Sequence, residues 1–459
     1  MTTPVRRAGA FAVVGTLVLL LPAFGPQAAG TVAAAVLVGA AAVTDGPVFE
    51  LFARPGDREE RRLYGLIGFA LAAIGLGLLT VSDLAGTGRV PTLPVGVYVG
   101  TVLLLVYGNL SSELVKLRRA DPFAASAGFV VGGFTAAVVG QVAASLLLDQ
   151  PLAGTLPKIA FLAITGALIG ALLRAALFER DDPVVLFTVG LVLWLLSALA
   201  PAVHRGDVAA AIGVALALGY LSFALRTASV EGMLTGILLS ILTIVLGGVG
   251  WFAVLISFFS IGALSTKYRY DTKAERGVAE GNDGARGTGN VLGNAAVATV
   301  AVLGFAAASS PPGFLAVDGT LFLFAFAGSI ATALSDTLAS EIGAVFDSPR
   351  LVTTLERVEP GTDGAVTWQG ELAGFVGAGL VAGIVLVVFP AVDPSATVGT
   401  LGAGVVLVAG VAGMTVDSLL GATVEDDLIG NQGVNFFATL AGAVVAVLVA
   451  VVAGGVAVA

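Results

Sequence analysis

Apolar residues along this chain come in long blocks, not in alternation. Blocks close to the length that crosses a hydrocarbon core fall at residues 8–24, 28–45, 63–82, 94–111, 123–148, 158–178, 183–202, 207–225, 229–247, 250–264, 290–309, 320–343, 371–391, 398–420 and 434–457. Backbone polar groups inside lipid must be satisfied within the segment, so such blocks predict helices. The pattern predicts an all-α fold, a polytopic transmembrane helix bundle of about fifteen spans. The blocks on either side of Gly247-Gly248-Val249-Gly250 read either as two spans or as one broken helix. The first block follows Arg6 and Arg7 in the manner of a signal peptide. It is read as a retained helix, because further spans follow and no convincing cleavage site does.

Basic residues orient this map. With the N-terminus placed in the cytoplasm, Arg54, Arg58, Arg61 and Arg62 fall in the first inner loop, and Lys116, Arg118 and Arg119 in the next. Lys267, Arg269, Lys273, Arg276 and Arg286 share one long inner loop, and Arg350 and Arg357 another. In all, 19 of 22 basic residues lie inside, with only Arg89, Lys158 and Arg205 outside, the asymmetry expected of inner loops. This predicts a multi-pass protein of the cell membrane with its long polar loops cytoplasmic. The chain changes character near residue 228: residues 1–228 form a transmembrane module with short loops and little polar chemistry, and residues 229–459 a membrane core whose loops are crowded with polar groups.

Composition supports the membrane reading and narrows the chemistry. Of 459 residues, 57% are hydrophobic and 12% charged, about half the charge of a soluble domain. The mean hydropathy is +1.00. The 62 glycines suit helices that pack backbone to backbone in lipid. There is no Cys and a single His, His204, which excludes disulfides and thiolate metal sites and argues strongly against a His-based zinc site or a Ser-His-Asp triad. The net charge of −9 argues against a nucleic-acid partner. An acidic, Lys-poor, Ala/Val-rich chain also suggests an archaeal halophile.

Four polar stretches carry the candidate chemistry. STKYRYDTKAERGVAEGNDGARGTGNVLGN, residues 265–294, sets basic side chains beside a Gly-rich run entering a helix, a pattern suited to phosphate. Asn290 and Asn294 stand one turn apart at the mouth of that span. SDTLASEIG, residues 335–343, places Asp336 and Glu341 in an otherwise apolar span, with Thr332, Asp336 and Ser340 on one face. Asp336 lies seven residues before Gly343, roughly 10 Å along the helix, where a carboxylate needs a cation, a basic partner or a watery cavity. Two carboxylates among hydroxyls suit magnesium; a helix–helix hydrogen-bond knot is the other reading. MTVDSLLGATVEDD, residues 414–427, offers Asp417 as a further ligand, with Glu425 to Asp427 read as a solvated face. RVEPGTDGAVTWQGELAG, residues 357–374, reads as a turn followed by Gln369 and Glu371 at a helix start, and Asn431 and Asn435 form another i, i+4 pair. Together these predict an inner-face cleft for metal-assisted phosphoryl or nucleotidyl transfer, with a lipid as acceptor.

The motifs STKYRYDTKAE, ARGTGNVLGN, GSIATALSDTLASEIG, GTDGAVTWQG and DSLLGAT, in this order, closely resemble the integral-membrane family called domain of unknown function ninety-two, also known as transmembrane protein nineteen-like. The resemblance spans about residues 229–459. The family includes a plant phytyl-phosphate kinase and is distantly similar to polyprenol kinases and membrane CDP-diacylglycerol synthases, which use CTP and magnesium. The resemblance therefore implies Mg-dependent transfer of a phosphoryl group from a nucleoside triphosphate, CTP being one candidate, to a prenyl monophosphate such as geranylgeranyl phosphate. On these motifs Lys267, Lys273, Arg286, Asn290 and Asn294 are assigned to the nucleotide phosphates. Asp336, Glu341 and Asp417 are assigned to catalysis and to magnesium. The rival reading is an ion-coupled membrane transporter using Asp336, which requires polar groups on several spans at midplane depth and paired repeats. Here the polar groups gather toward one face. A homo-oligomer stays open.

Overall fold

The computed structural model describes residues 3–81, 91–177, 182–199, 203–225, 229–279, 288–310, 315–392, 398–425 and 428–454. Two compact units emerge, Met1–Val208 and Ala209–Ala459. The described helices of the first are α1 (Thr3–Thr16), α2 (Leu20–Ala42), α3 (Gly46–Phe52), α4 (Pro55–Glu60), α5 (Tyr64–Leu78), α6 (Val95–Lys116), α7 (Pro122–Leu147), α8 (Leu156–Ala176) and α9 (Asp182–Ala198), with α10 (Arg205–Leu225) crossing the division. The second holds α11 (Val230–Leu242), α12 (Val249–Lys267), α13 (Tyr270–Glu275), α14 (Thr288–Ala308), α15 (Thr320–Gly343), α16 (Trp368–Val392), α17 (Gly399–Val424) and α18 (Asn431–Val452). A two-residue antiparallel pair, β1 (Arg350–Leu351) with β2 (Ala365–Val366), closes the hairpin between α15 and α16.

Among the described residues, 12 helices are long and apolar enough to cross a membrane, so the protein is a polytopic helical membrane protein. The difference from about fifteen has a local origin. Tyr64–Leu78 and Asp182–Ala198 are apolar but shorter. The stretch Pro4–Ala42 runs on as one helical rod, yet it is broken at Gly25, where φ is +84° just before Pro26. Pro26 has no N–H for the preceding turn, and only Gly takes that φ without strain. A similar break separates α11 from α12. Five residues of π-helix, Thr243–Gly247, end at Gly248 with φ +94°.

Within the first unit, α6 and α7 lie along one another through small residues. A Cβ on Gly140 would meet Leu103, and one on Gly133 would stand 3.2 Å from the Leu104 carbonyl. One buried polar knot interrupts this apolar unit. Asp182 at the start of α9 accepts from Arg54 at 2.5 Å and stands 3.2 Å from Arg174 of α8. The Arg54 backbone N–H in turn donates to Asp57. Burial of charge is tolerated here because each charge has an opposite neighbour.

The second unit is built around α15, which packs against α12, α14, α16, α17 and α18. Its polar side chains explain the close approach. Thr332 donates to Gly328 in its own helix and lies against the Ala409 carbonyl, and a Cβ on either Gly413 of α17 or Gly442 of α18 would collide with it. Ser335 donates to the Gly374 carbonyl of α16 at 2.7 Å. Gly370 comes within contact of Ala339 and Gly343. Lipid supplies no hydrophobic drive between helices, so such small-residue contacts and interhelical hydrogen bonds hold the bundle. At the end of α15 away from Asp336, Trp251 stacks among Phe305, Phe326 and Phe389 at centroid separations of 4.8, 4.7 and 6.5 Å.

Candidate functional site

The helix ends opposite that aromatic cluster enclose an open polar cleft of about 630 Å³. Asp336, Thr337, Ser340 and Glu341 reach it from α15, and Asp417, Gly421 and Glu425 from the end of α17. Asn294 of α14, Thr367 before α16, and Asn431 and Asn435 of α18 also line it, and the hairpin contributes Pro360 to Ala365. All four polar stretches of the sequence thus converge on one place. The hairpin is held there by contact with α17. Gly364 has φ +70°, and a Cβ on it would strike Ala422 and lie 2.5 Å from the Ser418 carbonyl. No L side chain fits there without moving the hairpin.

The lining carboxylates of α15 and α17 sit near the C-terminal ends of those helices, and Glu371 stands in the first turn of α16. Helix starts carry partial positive charge and spare N–H groups. Thr367 caps α16 by accepting from Gly370 N–H at 3.1 Å. On α18, Asn435 donates to Asn431 at 2.7 Å. Gly289 and Gly293 let α14 press onto Gln432 of α18, which brings Asn294 beside this pair in the wall.

The carboxyl groups of Asp336 and Asp417, from two different helices, stand within hydrogen-bonding reach of one another. Glu425 lies close enough to act on Asp417, and Glu371 of α16 close enough to act on Asp336. Two carboxylates in contact need a proton or a cation between them. Among the described residues, no group of three or more His, Asp or Glu side chains is arranged to hold a metal ion.

The predicted residues are distributed as follows. Asp336, Asp417 and Asn294 meet in the cleft. Glu341 reaches its wall but is engaged, because it pairs with Lys273 at 2.5 Å. Lys273 is 1% exposed, and it also donates to the carbonyls of Ser265 and Thr266 at the end of α12. An ammonium has three donors, and all three are used. In this arrangement Lys273 and Glu341 neutralise one another, and Lys273 is not part of the cleft lining. Lys267 ends α12 on the exposed surface and is not part of the cleft wall. Arg286 lies outside the described residues, as do Asp426, Asp427, Arg89, Arg180 and Arg226. Asn290 is placed in the first turn of α14.

Of the hydroxyls singled out in sequence, Thr337 and Ser340 open to the cleft, while Thr332 and Ser335 pin helices together. Glu425, read as part of a solvated face, stands in the cleft wall. Arg276 donates to the Ala344 and Phe346 carbonyls and to Asp347, so it caps the end of α15. The i, i+4 spacing of Asn431 and Asn435 is the sequence signal for their place in the cleft. Arg276 is legible as one of the basic residues of the 265–294 stretch, but nothing local marks it as the cap of α15.

Comparison with known proteins bears on this same unit. A family model described as "Integral membrane protein DUF92" matches residues 213–443. The chain belongs to the DUF92 family. An uncharacterized membrane protein of Methanocaldococcus jannaschii is 33% identical over 225 residues, covering 48% of this chain and 84% of that protein. An uncharacterized membrane protein of Synechocystis is 32% identical over 212 residues, 44% of this chain and 76% of that protein. The chloroplastic protein VTE6 of Arabidopsis thaliana is 31% identical over 225 residues, 48% of this chain and 64% of that protein. No solved structure matches. The DUF92 match takes in every residue of the cleft named above.

Proposed function

We propose that this DUF92 protein transfers the terminal phosphoryl group of a nucleoside triphosphate, with CTP the first candidate, to a prenyl monophosphate at the cytoplasmic membrane face. The observation that carries the reading is the meeting of Asp336 and Asp417 across two helices in a polar cleft. The resemblance to a family containing a phytyl-phosphate kinase supplies the substrate class. Two carboxylate donors with nearby hydroxyls fit magnesium, which is held by one or two protein carboxylates and completes its shell with phosphate oxygens and water. Asp336 and Asp417 would hold it, and bound there it would neutralise charge on the transferring phosphoryl group.

The chain's own groups do the rest. Asn294, Asn431 and Asn435, together with the starts of α14 and α18, bind and orient phosphate oxygens in the same cleft as the carboxylates. Asn290 and Arg286 keep the assignment to phosphate that the family motifs imply, whereas Lys267 stands outside the cleft wall. Lys273 and Glu341 hold the loop after α12 against α15 and so fix the wall. In the reaction a phosphate oxygen of the prenyl monophosphate attacks the γ-phosphorus. The bond from that phosphorus to the bridging oxygen breaks, and the nucleoside diphosphate leaves with the electron pair.

The test uses purified protein, Mg²⁺, geranylgeranyl monophosphate and each labelled nucleoside triphosphate in turn, with prenyl diphosphate followed by chromatography. Product that is lost in Asp336→Asn and in Asp417→Asn supports the reading. Absence of product with every donor, from protein that is folded, removes it and leaves ion-coupled transport through Asp336 to be tested in liposomes.

A further inference from the structure

One oxygen in the cleft has no partner. Asp417 Oδ1 is buried and takes part in no hydrogen bond, although the same carboxyl group reaches Asp336. A buried carboxylate oxygen left in this state costs free energy, and what it lacks is a donor or a cation. The protein's own cations are committed elsewhere. Arg276 is the one basic side chain among the described lining residues, and Asp347 and the carbonyls of Ala344 and Phe346 hold it. Lys273 uses its three donors on Glu341 and on the carbonyls of Ser265 and Thr266.

The sign of the wall decides what enters first. The described lining carries the carboxylates of Asp336, Glu341, Asp363, Asp417 and Glu425 against that single guanidinium. Lys273 offsets Glu341, and Asp347 offsets Arg276, so the balance stays acidic however the groups pair. The residues that join Ala279 to Thr288 do not reverse it, since they hold Glu280 and Asp283 against Arg286. A nucleoside triphosphate keeps net negative charge even when it carries one magnesium, and carboxylates repel it at close range. The wall has to be neutralised before a phosphate can approach Asp336 and Asp417. Carboxylate and hydroxyl oxygens, with water completing the shell, suit a hard divalent ion.

We propose that the cleft takes up a hard divalent cation on its own, before any nucleotide, with the buried oxygen of Asp417 and the carboxyl of Asp336 as its protein ligands. The nucleotide is then drawn to a resident cation and does not deliver it. What arrives second rests on the phosphoryl-transfer reading; the cation does not.

The experiment takes the full chain, purified in detergent and freed of metal with EDTA, and titrates Mn²⁺ with no nucleotide present. The electron paramagnetic resonance signal of free Mn²⁺ reports uptake. The parent is expected to show saturable uptake that Mg²⁺ competes away and Na⁺ at equal ionic strength does not. Asp417→Asn and Asp336→Asn are each expected to weaken it about tenfold or more. Glu356→Gln, which removes a like charge from the exposed hairpin outside the lining, should leave it unchanged. Asn has the shape of Asp, and each variant is compared as a monodisperse species on size exclusion. No saturable uptake by the parent, or the same uptake in a folded Asp variant, overturns the proposal. Uptake that needs Asp417, without prenyl diphosphate in the kinase assay, keeps the cation site and removes the phosphoryl-transfer reading. Product from a parent that takes up Mn²⁺ only once nucleotide is added keeps that reading and overturns cation-first loading.

Discussion

Replacing Lys273 with Met separates a structural cation from a substrate-binding one. The side chains of Lys273 and Glu341 are 1% and 14% exposed. Removing one member of a buried pair costs about 3–5 kcal/mol, because the remaining charge is stranded. Glu341 keeps some contact with water at the cleft wall, which relieves part of this. The two carbonyls at the end of α12 lose their donor, which adds about 1 kcal/mol. We expect Lys273→Met to destabilise the second unit by about 3 kcal/mol. Glu341→Gln, which strands the ammonium but keeps an acceptor, is expected to cost about 2 kcal/mol. The double variant strands no charge and should be no less stable than Lys273→Met alone, a coupling of about 2 kcal/mol. The assay is unfolding by SDS titration in mixed micelles, followed by tryptophan fluorescence in a Trp194→Phe background, which leaves Trp251 and Trp368 of the second unit as reporters. A Lys273→Met protein within about 0.5 kcal/mol of the parent, an ordinary surface effect, together with a raised KM for the nucleotide, would refute the structural assignment and return Lys273 to the phosphates.

Gly364→Ala should release the hairpin from α17, because it combines φ +70° with a collision at Ala422; faster tryptic cleavage at the exposed Arg357 checks this. Asp336→Asn should abolish Mg²⁺-dependent turnover while shifting the unfolding midpoint little, and a variant with full turnover removes the metal role. Asp182→Asn removes the carboxylate shared by Arg54 and Arg174 and should destabilise the first unit by about 3 kcal/mol, whereas Arg174→Met, which leaves the Arg54–Asp182 bond intact, should cost less; SDS titration in a Trp251→Phe/Trp368→Phe background, read at Trp194, tests the order. Gly442→Val sets a branched side chain against Thr332 and should prevent α18 from docking, seen as loss of a monodisperse species on size exclusion.

Much of this was readable because lipid imposes a coarse rule on sequence. The spans announce themselves by length, and the Gly-Pro step at residues 25–26 and the glycines at 247–250 mark where rods break. The polar stretches were visible for the same reason, since an Asp in hydrocarbon has few excuses. Which polar group meets which was not legible. Lys273 and Glu341 lie 68 positions apart, and Arg54 and Asp182 lie 128 apart. A carboxylate bound for a cation and one bound for an ammonium look alike in sequence. Thr332 and Ser340 sit two turns apart on one helix face, yet one pins helices and the other faces the cleft. The difference lies in Gly413, Gly442 and the ends of neighbouring helices, none of which is local to SDTLASEIG.

Thr332 lodged between Gly413 and Gly442 acts as a key in a slot. Sliding α15 along α17 or α18 by a residue would drive the hydroxyl-bearing side chain out of its recess and into a neighbour with a Cβ. The register of α15 against α17 and α18 is therefore fixed one residue at a time, four residues before Asp336 on the same helix face.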